Sequence, residues 1–307
     1  MSAPVKSVIF LGASGDLGRP TLKQFLRMPN SPFKVSVLTR QGSMSTFPPG
    51  VNVIKTDYTS ASLESALQGQ DVVISMLGYD GLPQQKTIID AAIKAGVKRF
   101  FPSEFGSRTY DDKVRAAVPV FGSKRETVKY LMAREGQISW TAIINGAFFD
   151  LGLKVGFLGF DFSNNRAHLF DGGKVPFGAT NMHTIGHALF SLLSSPSAYA
   201  ESQNRYIHIA SHMTSQHEIL AAVEEVTGKT WEKVAVNGKE LSRTSLVKFH
   251  LGDPSAFPGL IQAMTWGRLG DTGLGDFSGE ELFNDKLGLP KEDLEADVRA
   301  VLDGKAP

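Results

Sequence analysis

The chain has 307 residues, of which 42% are hydrophobic and 21% are charged, and this composition excludes a disordered or fibrous protein. The absence of cysteine excludes disulfides, thiolate nucleophiles and cysteine-ligated metal sites. The formal net charge is +1 and the sequence contains no long run of Lys or Arg, so we expect no direct binding to nucleic acid.

The first apolar run, Val8 to Leu11, is too short for a signal sequence or a membrane span. We therefore expect a cytoplasmic protein without a membrane segment. The same run starts a regular pattern in which short β-branched stretches alternate with helix-compatible stretches. Six predicted strands follow in chain order: SVIFLG, VSVLTR, VNVIK, DVVISMLG, RFFPSEFG and WTAIING. This alternation predicts an α/β fold, a Rossmann-type doubly wound parallel sheet.

The pattern changes after Phe148 to a glycine- and phenylalanine-rich stretch of irregular chain and short strands. We therefore predict a nucleotide-binding domain over residues 1–150 and a smaller substrate-binding region over 151–307, with some later elements packing back onto the first sheet. In the later half we expect helices at HTIGHALFSLLSS and TSQHEILAAVEEVTG, a strand at RYIHIAS, and a helical tail from Glu280 to Leu302.

A glycine-rich loop, GASGDLG, lies between the first strand and a helix-compatible stretch. Glycine allows a tight turn and close approach of a pyrophosphate, and a helix N-terminus attracts negative charge. The spacing is GxxGxxG, whereas the common dinucleotide motif is GxGxxG. The predicted cofactor-binding residues of this loop are Gly12, Ser14, Gly15, Asp16, Leu17 and Gly18.

The second strand ends in Arg40, where an NAD-preferring protein usually has an acidic residue that binds the ribose. A guanidinium at this position favours the 2′-phosphate of NADPH through charge-assisted hydrogen bonds. The alternative is an arginine that is simply solvated at the surface. Asp57 after the third strand and Gly78 after the fourth lie where such folds pass the adenine and ribose, so both are further candidates.

Three segments, DVVISMLG, QQKTIIDAAIKAGVKRFFPSEFG and VFGSKRETVKYLMAREG, resemble the isoflavone reductase and phenylcoumaran benzylic ether reductase group of the NmrA-like family. The stretch from Arg99 to Gly106 is the most specific part of the match. The resemblance implies an atypical short-chain dehydrogenase/reductase fold and an NADPH-dependent reductase. Its implied substrate is a small aromatic or conjugated compound, such as an isoflavone, a phenylpropanoid or another secondary metabolite.

In this family a lysine within a Phe-x-x-Lys pattern is taken as the acid/base residue, and Phe121 and Lys124 match the pattern. The tyrosine of ordinary short-chain dehydrogenases is replaced by Val120. The plant enzymes have an arginine four residues after the lysine, where this chain has Val128. Burial beside the cofactor would lower the lysine pKa into the range of a general base. Lys124 is therefore the catalytic candidate, and the alternative is a lysine that only orients the cofactor ribose.

Residues after the fifth and sixth strands are expected near the ligand, because open α/β sheets bind ligands at the carboxyl ends of their strands. Ser103, Asn145 and Phe148 are the cofactor-binding candidates, and Lys124 also belongs to this set. Glu104 could orient a ligand, although capping of a neighbouring helix is favoured. The later aromatic residues, Phe157, Phe160, Phe162, Phe170 and Phe177, suit either a planar substrate or a core.

The sequence also leaves alternatives to a reductase. His183 and His187 have helical spacing but lack the glutamate of a zinc protease motif, so we predict no metal site. The main rival is a non-catalytic NADP(H)-sensing regulator of NmrA type, which shares the fold. A related isomerase or dehydratase is a further alternative. We expect a small-molecule substrate and a monomer or homodimer.

Overall fold

The six strands predicted for the first half are all present in the computed structural model, which describes residues 5–269 and 273–305. They are β1 (Ser7–Leu11), β2 (Lys34–Arg40), β3 (Asn52–Thr56), β4 (Val72–Ser75), β5 (Arg99–Phe101) and β6 (Ser139–Ile144). The helices between them are α1 (Gly18–Arg27), α2 (Ser60–Leu67), α3 (Gln85–Lys94), α4 (Asp112–Ala117) and α5 (Phe121–Met132), with a 3₁₀ helix at Tyr79–Gln84.

The later half contributes short strands and further helices. Its strands are β7 (Ala147–Phe148), β8 (Phe160–Asp161), β9 (Arg166–Phe170), β10 (Phe177–Thr180), β11 (Arg205–His208), β12 (His212–Thr214) and β13 (Glu232–Val236). Its helices are α6 (Phe149–Lys154), α7 (Met182–Ser194), α8 (Pro196–Glu201), α9 (Gln216–Thr227), α10 (Gly238–His250), α11 (Ala256–Trp266) and α12 (Leu294–Leu302).

Within the described residues the central sheet has seven strands in the order β11-β6-β5-β4-β1-β2-β3, all paired in parallel. Helices cover both faces, which explains why the strands are continuous apolar runs. In β1, for example, Val8 and Phe10 belong to one hydrophobic cluster and Ile9 and Leu11 to the cluster on the opposite face. The predicted Rossmann-type fold is therefore confirmed, and its strand order reverses between β1 and β4.

The later half does not pack as a separate body from the first. Strand β11 extends the central sheet beside β6, and α7 packs against α1. Their crossing is close at Gly186, where a Cβ atom would lie 2.7 Å from the Thr21 carbonyl oxygen. Two small sheets, β12-β10-β7 and β13-β9-β8, complete the described later half. The domain boundary near residue 150 stays a prediction.

The predicted helical tail is wrong over most of its length, since only Leu294–Leu302 is helical. Between Glu280 and Asp293 the chain forms only a short run of turns, with the Leu287 and Leu289 amides donating to Phe283 and Asn284, and it is otherwise bonded to the main sheet region. The Phe283 amide donates to the His208 carbonyl, and the Asn284 side chain bonds to Ala210 through both its oxygen and its nitrogen. Gly288 then takes a left-handed conformation with φ of 59°, which a continuous helix does not allow.

Candidate functional site

Two cavities lie along the carboxyl edge of the central sheet, in the part of the chain that the structure describes. The first has a volume of about 590 Å³ and the second of about 710 Å³. Both are lined by Leu77, Gly78 and Tyr79, which follow β4 at the point where the strand order reverses. This crevice is where doubly wound sheets bind their ligands.

The three positions of the GASGDLG loop are occupied by glycine for different structural reasons. A Cβ atom on Gly12 would lie 2.2 Å from the Met76 carbonyl oxygen, and one on Gly18 would lie 2.1 Å from the Gly12 carbonyl oxygen. Both are therefore required by the packing of the loop itself. A Cβ atom on Gly15 would come no closer than 3.4 Å to its nearest neighbour, the Gly12 carbonyl oxygen, and Gly15 lines the first cavity. Its glycine leaves room for a ligand.

Helix α1 begins directly after this loop, and its N-cap residue is Leu17. Among the described residues no side chain caps this end of the helix. The helix dipole makes such an end suitable for a phosphate group, although the Arg19 amide already donates to the Gly15 carbonyl at 2.9 Å and Pro20 has no amide hydrogen. Asp16 and Leu17 line the first cavity, whereas Gly12 and Ser14 line the second.

The second cavity holds Arg40 at the end of β2. Arg40 is exposed, and among the described residues its guanidinium has no hydrogen-bond or ion-pair partner. Asp57 lines the same cavity but is bonded to its own turn, since its Oδ1 accepts from the Thr59 amide at 3.0 Å and from the Thr59 hydroxyl at 2.8 Å. These bonds hold the pKa of Asp57 below its ordinary value. Among the described residues the cavity thus offers one free cation, Arg40, and two carboxylates, of which Asp57 is bonded to its own turn and Asp80 is the other.

Lys124 lies on α5 and is half-buried in the wall of the first cavity. Its Nζ donates a hydrogen bond to the backbone carbonyl of Glu104, which follows β5. Burial lowers the pKa of Lys124, and the neighbouring Glu104 carboxyl opposes that shift. Phe121, one turn earlier on α5, places its ring 5.6 Å from Nζ. Val128 is buried in the core, and Lys129 is bonded to Glu126 at 2.9 Å.

The expectation that Glu104 caps a helix is wrong. Helix α4 is capped by Asp111, whose side chain accepts from the Lys113 amide. The Glu104 carboxyl is instead buried, and its Oε2 accepts a 2.6 Å hydrogen bond from the Thr109 hydroxyl. Its Oε1 is buried without a hydrogen-bond partner among the described residues. Burial raises the pKa of Glu104 to about 7.

Ser103 lines the first cavity and also joins neighbouring strands. Its hydroxyl lies 2.8 Å from the Ser75 hydroxyl and accepts a 2.9 Å bond from the Leu77 amide. Phe148 lines the same cavity. Asn145 does not line either cavity: it is buried, and its Nδ2 donates to the Gly146 carbonyl at 3.1 Å. The structure thus brings Ser103, Lys124 and Phe148 to one cavity and leaves Asn145 behind its wall.

The rest of the first cavity is mostly apolar. Of the five later phenylalanines, only Phe157 lines it, while Phe160, Phe170 and Phe177 are core residues and Phe162 packs against that core. Much of the apolar lining comes from distant parts of the later half: Leu151, Val155, Ile261, Leu274 and Phe277.

A polar cluster that the sequence motifs do not predict lies at the edge of this cavity and is formed by Arg108, Tyr110, His208 and Glu280. The Tyr110 hydroxyl lies 3.2 Å from His208 Nε2 and donates to Glu280 Oε1 at 3.1 Å. Arg108 Nη1 lies 3.5 Å from the same Glu280 oxygen. Burial lowers the pKa of His208 to about 4. Arg108 and Tyr110 are close in the sequence, but His208 and Glu280 are 98 and 170 residues from Tyr110, and only the position of Arg108 just beyond the PSEFG stretch hints at a site.

His183 and His187 on α7 lie away from both cavities. His183 Nε2 is 2.8 Å from Glu292 Oε1, and this bond raises the pKa of His183. Within residues 5–269 and 273–305, no group of three or more metal-ligating side chains is found. In the same residues, no helix is both long enough and apolar enough to cross a membrane.

Fold and sequence together define a Rossmann-type α/β protein of the class that contains nucleotide-dependent reductases. The chain belongs to the NmrA-like family, which it matches over residues 4–254. It is 33% identical to oxidoreductase aprR of Aspergillus flavus over 301 residues, which cover 97% of this chain and 99% of that protein. It is 32% identical to the isoflavone reductase homolog IRL of Zea mays over 253 residues, covering 76% and 78%. The resemblance stated from the motifs is thereby confirmed.

Solved structures show the same fold. A structure of AtPrR2 with NADP+ and (+)pinoresinol superposes with a TM-score of 0.78 and 21% sequence identity, covering 98% of this chain and 100% of that one. A crystal structure of isoflavone reductase gives a TM-score of 0.76 and 20% identity, covering 98% and 99%.

Proposed function

We propose that this protein is an NADPH-dependent oxidoreductase that reduces a small aromatic or conjugated compound of the isoflavone, phenylpropanoid or secondary-metabolite type. The observation that carries the proposal is the position of Lys124, half-buried and with a lowered pKa, in the wall of a largely apolar cavity that meets the glycine-loop crevice. Two relatives, oxidoreductase aprR and the isoflavone reductase homolog IRL, support an oxidoreductase reaction.

The residues present fit an NADPH molecule. Gly15 and Gly78 leave space at the loop and after β4, because a Cβ atom on Gly78 would meet nothing within 4 Å. The uncapped N-terminus of α1 suits the diphosphate, and the unpaired Arg40 guanidinium suits a 2′-phosphate. Ser14, Asp57 and Ser103 are further proposed contacts. We propose that Asn145 contributes to cofactor binding indirectly. It lies behind the cavity wall and would hold the backbone before Phe148 in place.

When bound, NADPH supplies a hydride. The protein then has to orient the substrate and manage its proton. The lowered pKa of Lys124 brings the ammonium nearer to exchange at neutral pH, and the Glu104 carbonyl holds Nζ in one place. We propose that Lys124 exchanges a proton with a phenol or carbonyl oxygen of the substrate. The apolar lining excludes water and favours a planar, weakly polar substrate.

The proposal is tested by fluorescence titration of the purified protein with NADPH, followed by NADPH oxidation with a panel of phenolic and enone compounds. Saturable binding with turnover of a panel member supports a reductase. Saturable binding with no turnover across the panel contradicts the reductase and favours the NADP(H)-sensing regulator. Failure to bind NADPH contradicts both functions.

A further inference from the structure

We propose that Arg108 makes the cavity selective for substrates that carry an anionic oxygen, a carboxylate or a phenolate, in addition to their aromatic or conjugated part. The inference rests on the proposed function in one respect, since it takes the cavity of about 590 Å³ as the substrate site. It goes further by assigning a charge to the substrate and a residue that recognises it.

The Arg108 guanidinium is poorly satisfied by the protein. Its side chain is only 18% exposed. Nη1 lies 3.5 Å from Glu280 Oε1, and Nη2 donates to the Leu274 carbonyl at 3.4 Å, so both contacts are long. Nε is buried and has no hydrogen-bond partner among the described residues. A guanidinium has five N–H donors, and hydrogen bonds weaken at such distances. Nη1 and Nη2 therefore keep donor capacity for a ligand, while Nε stays unpaired inside the wall.

Glu280 is a weak competitor for this guanidinium. Its side chain is 35% exposed, and its Oε1 is closer to the Tyr110 hydroxyl, at 3.1 Å, than to Arg108. A carboxylate of a bound ligand could instead approach the planar guanidinium with two parallel hydrogen bonds, which are shorter and stronger than a single long contact. The ligand carboxylate and the Glu280 carboxylate would then compete for the Arg108 guanidinium.

The surroundings strengthen such an interaction. Arg108 shares the cavity with the rings of Phe121, Phe148, Phe157 and Phe277. In a site of low dielectric a charge pair is worth more than in water. The other ionisable groups of the lining are Asp16, Tyr79, Glu104 and Lys124; Glu104 is buried and bonded to Thr109, and Lys124 is bonded to a backbone carbonyl. Arg108 is thus the lining cation whose donors are least used by the protein.

A different role would be structural, with Arg108 holding the segment that carries Leu274 and Glu280 over the cavity. The two roles make opposite predictions for Glu280. If Arg108 is a clamp, removal of the Glu280 charge loosens the segment and weakens every ligand. If Arg108 recognises an anion, removal of that charge frees the guanidinium and strengthens anionic ligands alone.

The experiment measures binding of trans-cinnamate and of its neutral analogue trans-cinnamamide by calorimetry, with the protein saturated with NADP+ so that no turnover occurs. Three proteins are compared: wild type, Arg108→Met and Glu280→Gln. Thermal melting and NADP+ affinity verify that each variant is folded, and Arg108→Gln replaces Arg108→Met if the latter does not fold, because it keeps a polar side chain but removes the charge.

We expect wild type to bind cinnamate about tenfold or more tightly than cinnamamide, Arg108→Met to lose that preference, and Glu280→Gln to bind cinnamate several-fold tighter with cinnamamide unchanged. Equal binding of the two compounds by wild type, binding of neither, or a preference retained without Arg108 would overturn the inference. Parallel weakening of both compounds in Glu280→Gln would identify a clamp. A cinnamate preference without turnover of any panel compound would leave this inference standing and refute the reductase.

Discussion

Lys124 is held by the backbone of Glu104 and not by its carboxylate. The Nζ atom donates to the Glu104 carbonyl, while the Glu104 side chain accepts from Thr109. A neutral dipole thus fixes the position of the amine without forming a direct ion pair with it. This arrangement allows a proton to leave or join Nζ without breaking a salt bridge, which suits an acid/base residue.

Replacing Lys124 with Met should remove proton exchange and keep the fold, because the two side chains have similar length and the site is half-buried among apolar residues. We expect turnover to fall by about 100-fold or more, the usual contribution of a general acid or base, with NADPH affinity changed only a few-fold. Steady-state kinetics and fluorescence titration measure the two effects. Lys129→Met is the matched control, since Lys129 lies exposed on the same helix and bonds to Glu126. Full turnover by Lys124→Met would refute the catalytic role.

Replacing Arg40 with Ala should affect the affinity for NADPH but not the affinity for NADH. Loss of charge-assisted hydrogen bonds to the 2′-phosphate should weaken NADPH binding by about 10- to 100-fold and leave NADH binding unchanged. Titration with both nucleotides tests this. Arg27→Ala is the control, because Arg27 is exposed at the end of α1 and lines neither cavity. Equal weakening for both nucleotides would show that Arg40 does not contact the phosphate.

Alanine at two glycines of the same loop should have different effects. Gly18→Ala places a Cβ atom 2.1 Å from the Gly12 carbonyl oxygen, so we expect a loss of stability of about 1–3 kcal/mol, typical of overpacking. Gly15→Ala meets its nearest neighbour at 3.4 Å and should melt near the wild-type temperature but bind NADPH more weakly. Thermal melting and titration distinguish the pair. Unchanged NADPH affinity in Gly15→Ala would place the cofactor elsewhere.

Stability should depend on pH through Glu104. Burial raises its pKa from an ordinary 4.5 to about 7, so between these values the folded state binds more protons than the unfolded state. The free energy of unfolding therefore falls as pH rises through this window, by up to about 3 kcal/mol from this group. Glu104→Gln should show a flatter profile and unfold at higher urea concentration than wild type at pH 8. Glu225→Gln, at an exposed position, should follow wild type.

Local patterns predicted the first half well because each feature there depends on nearby residues. The strands are apolar runs, the loop glycines follow β1 directly, and Lys124 is identified by its own motif. Helix α9 was predicted for the same reason: the Ser215 hydroxyl accepts from the Glu218 amide, and Gly228 ends the helix in a left-handed conformation.

The features that the sequence did not reveal depend on contacts between distant residues. Phe277 lines the cavity beside Gly178, and its ring needs a glycine there. A Cβ atom on Gly178 would lie only 2.0 Å from the nearest atom of the Phe277 ring. Arg108 and Glu280 meet only in the folded chain. The tail between Glu280 and Asp293 has a helical pattern, but hydrogen bonds to His208 and Ala210 replace those of a helix. Tertiary bonding, which periodicity does not encode, decided each of these cases.

Strand β11 affects how the chain folds during synthesis and whether its first half can be expressed alone. The Trp140 amide in β6 donates to the Asn204 side chain just before β11, across 64 residues of sequence. During synthesis β6 therefore remains an open sheet edge until the later segment arrives, and such edges promote aggregation. A fragment cut near residue 150 would keep that edge permanently, so an isolated nucleotide-binding half is a poor candidate for separate expression.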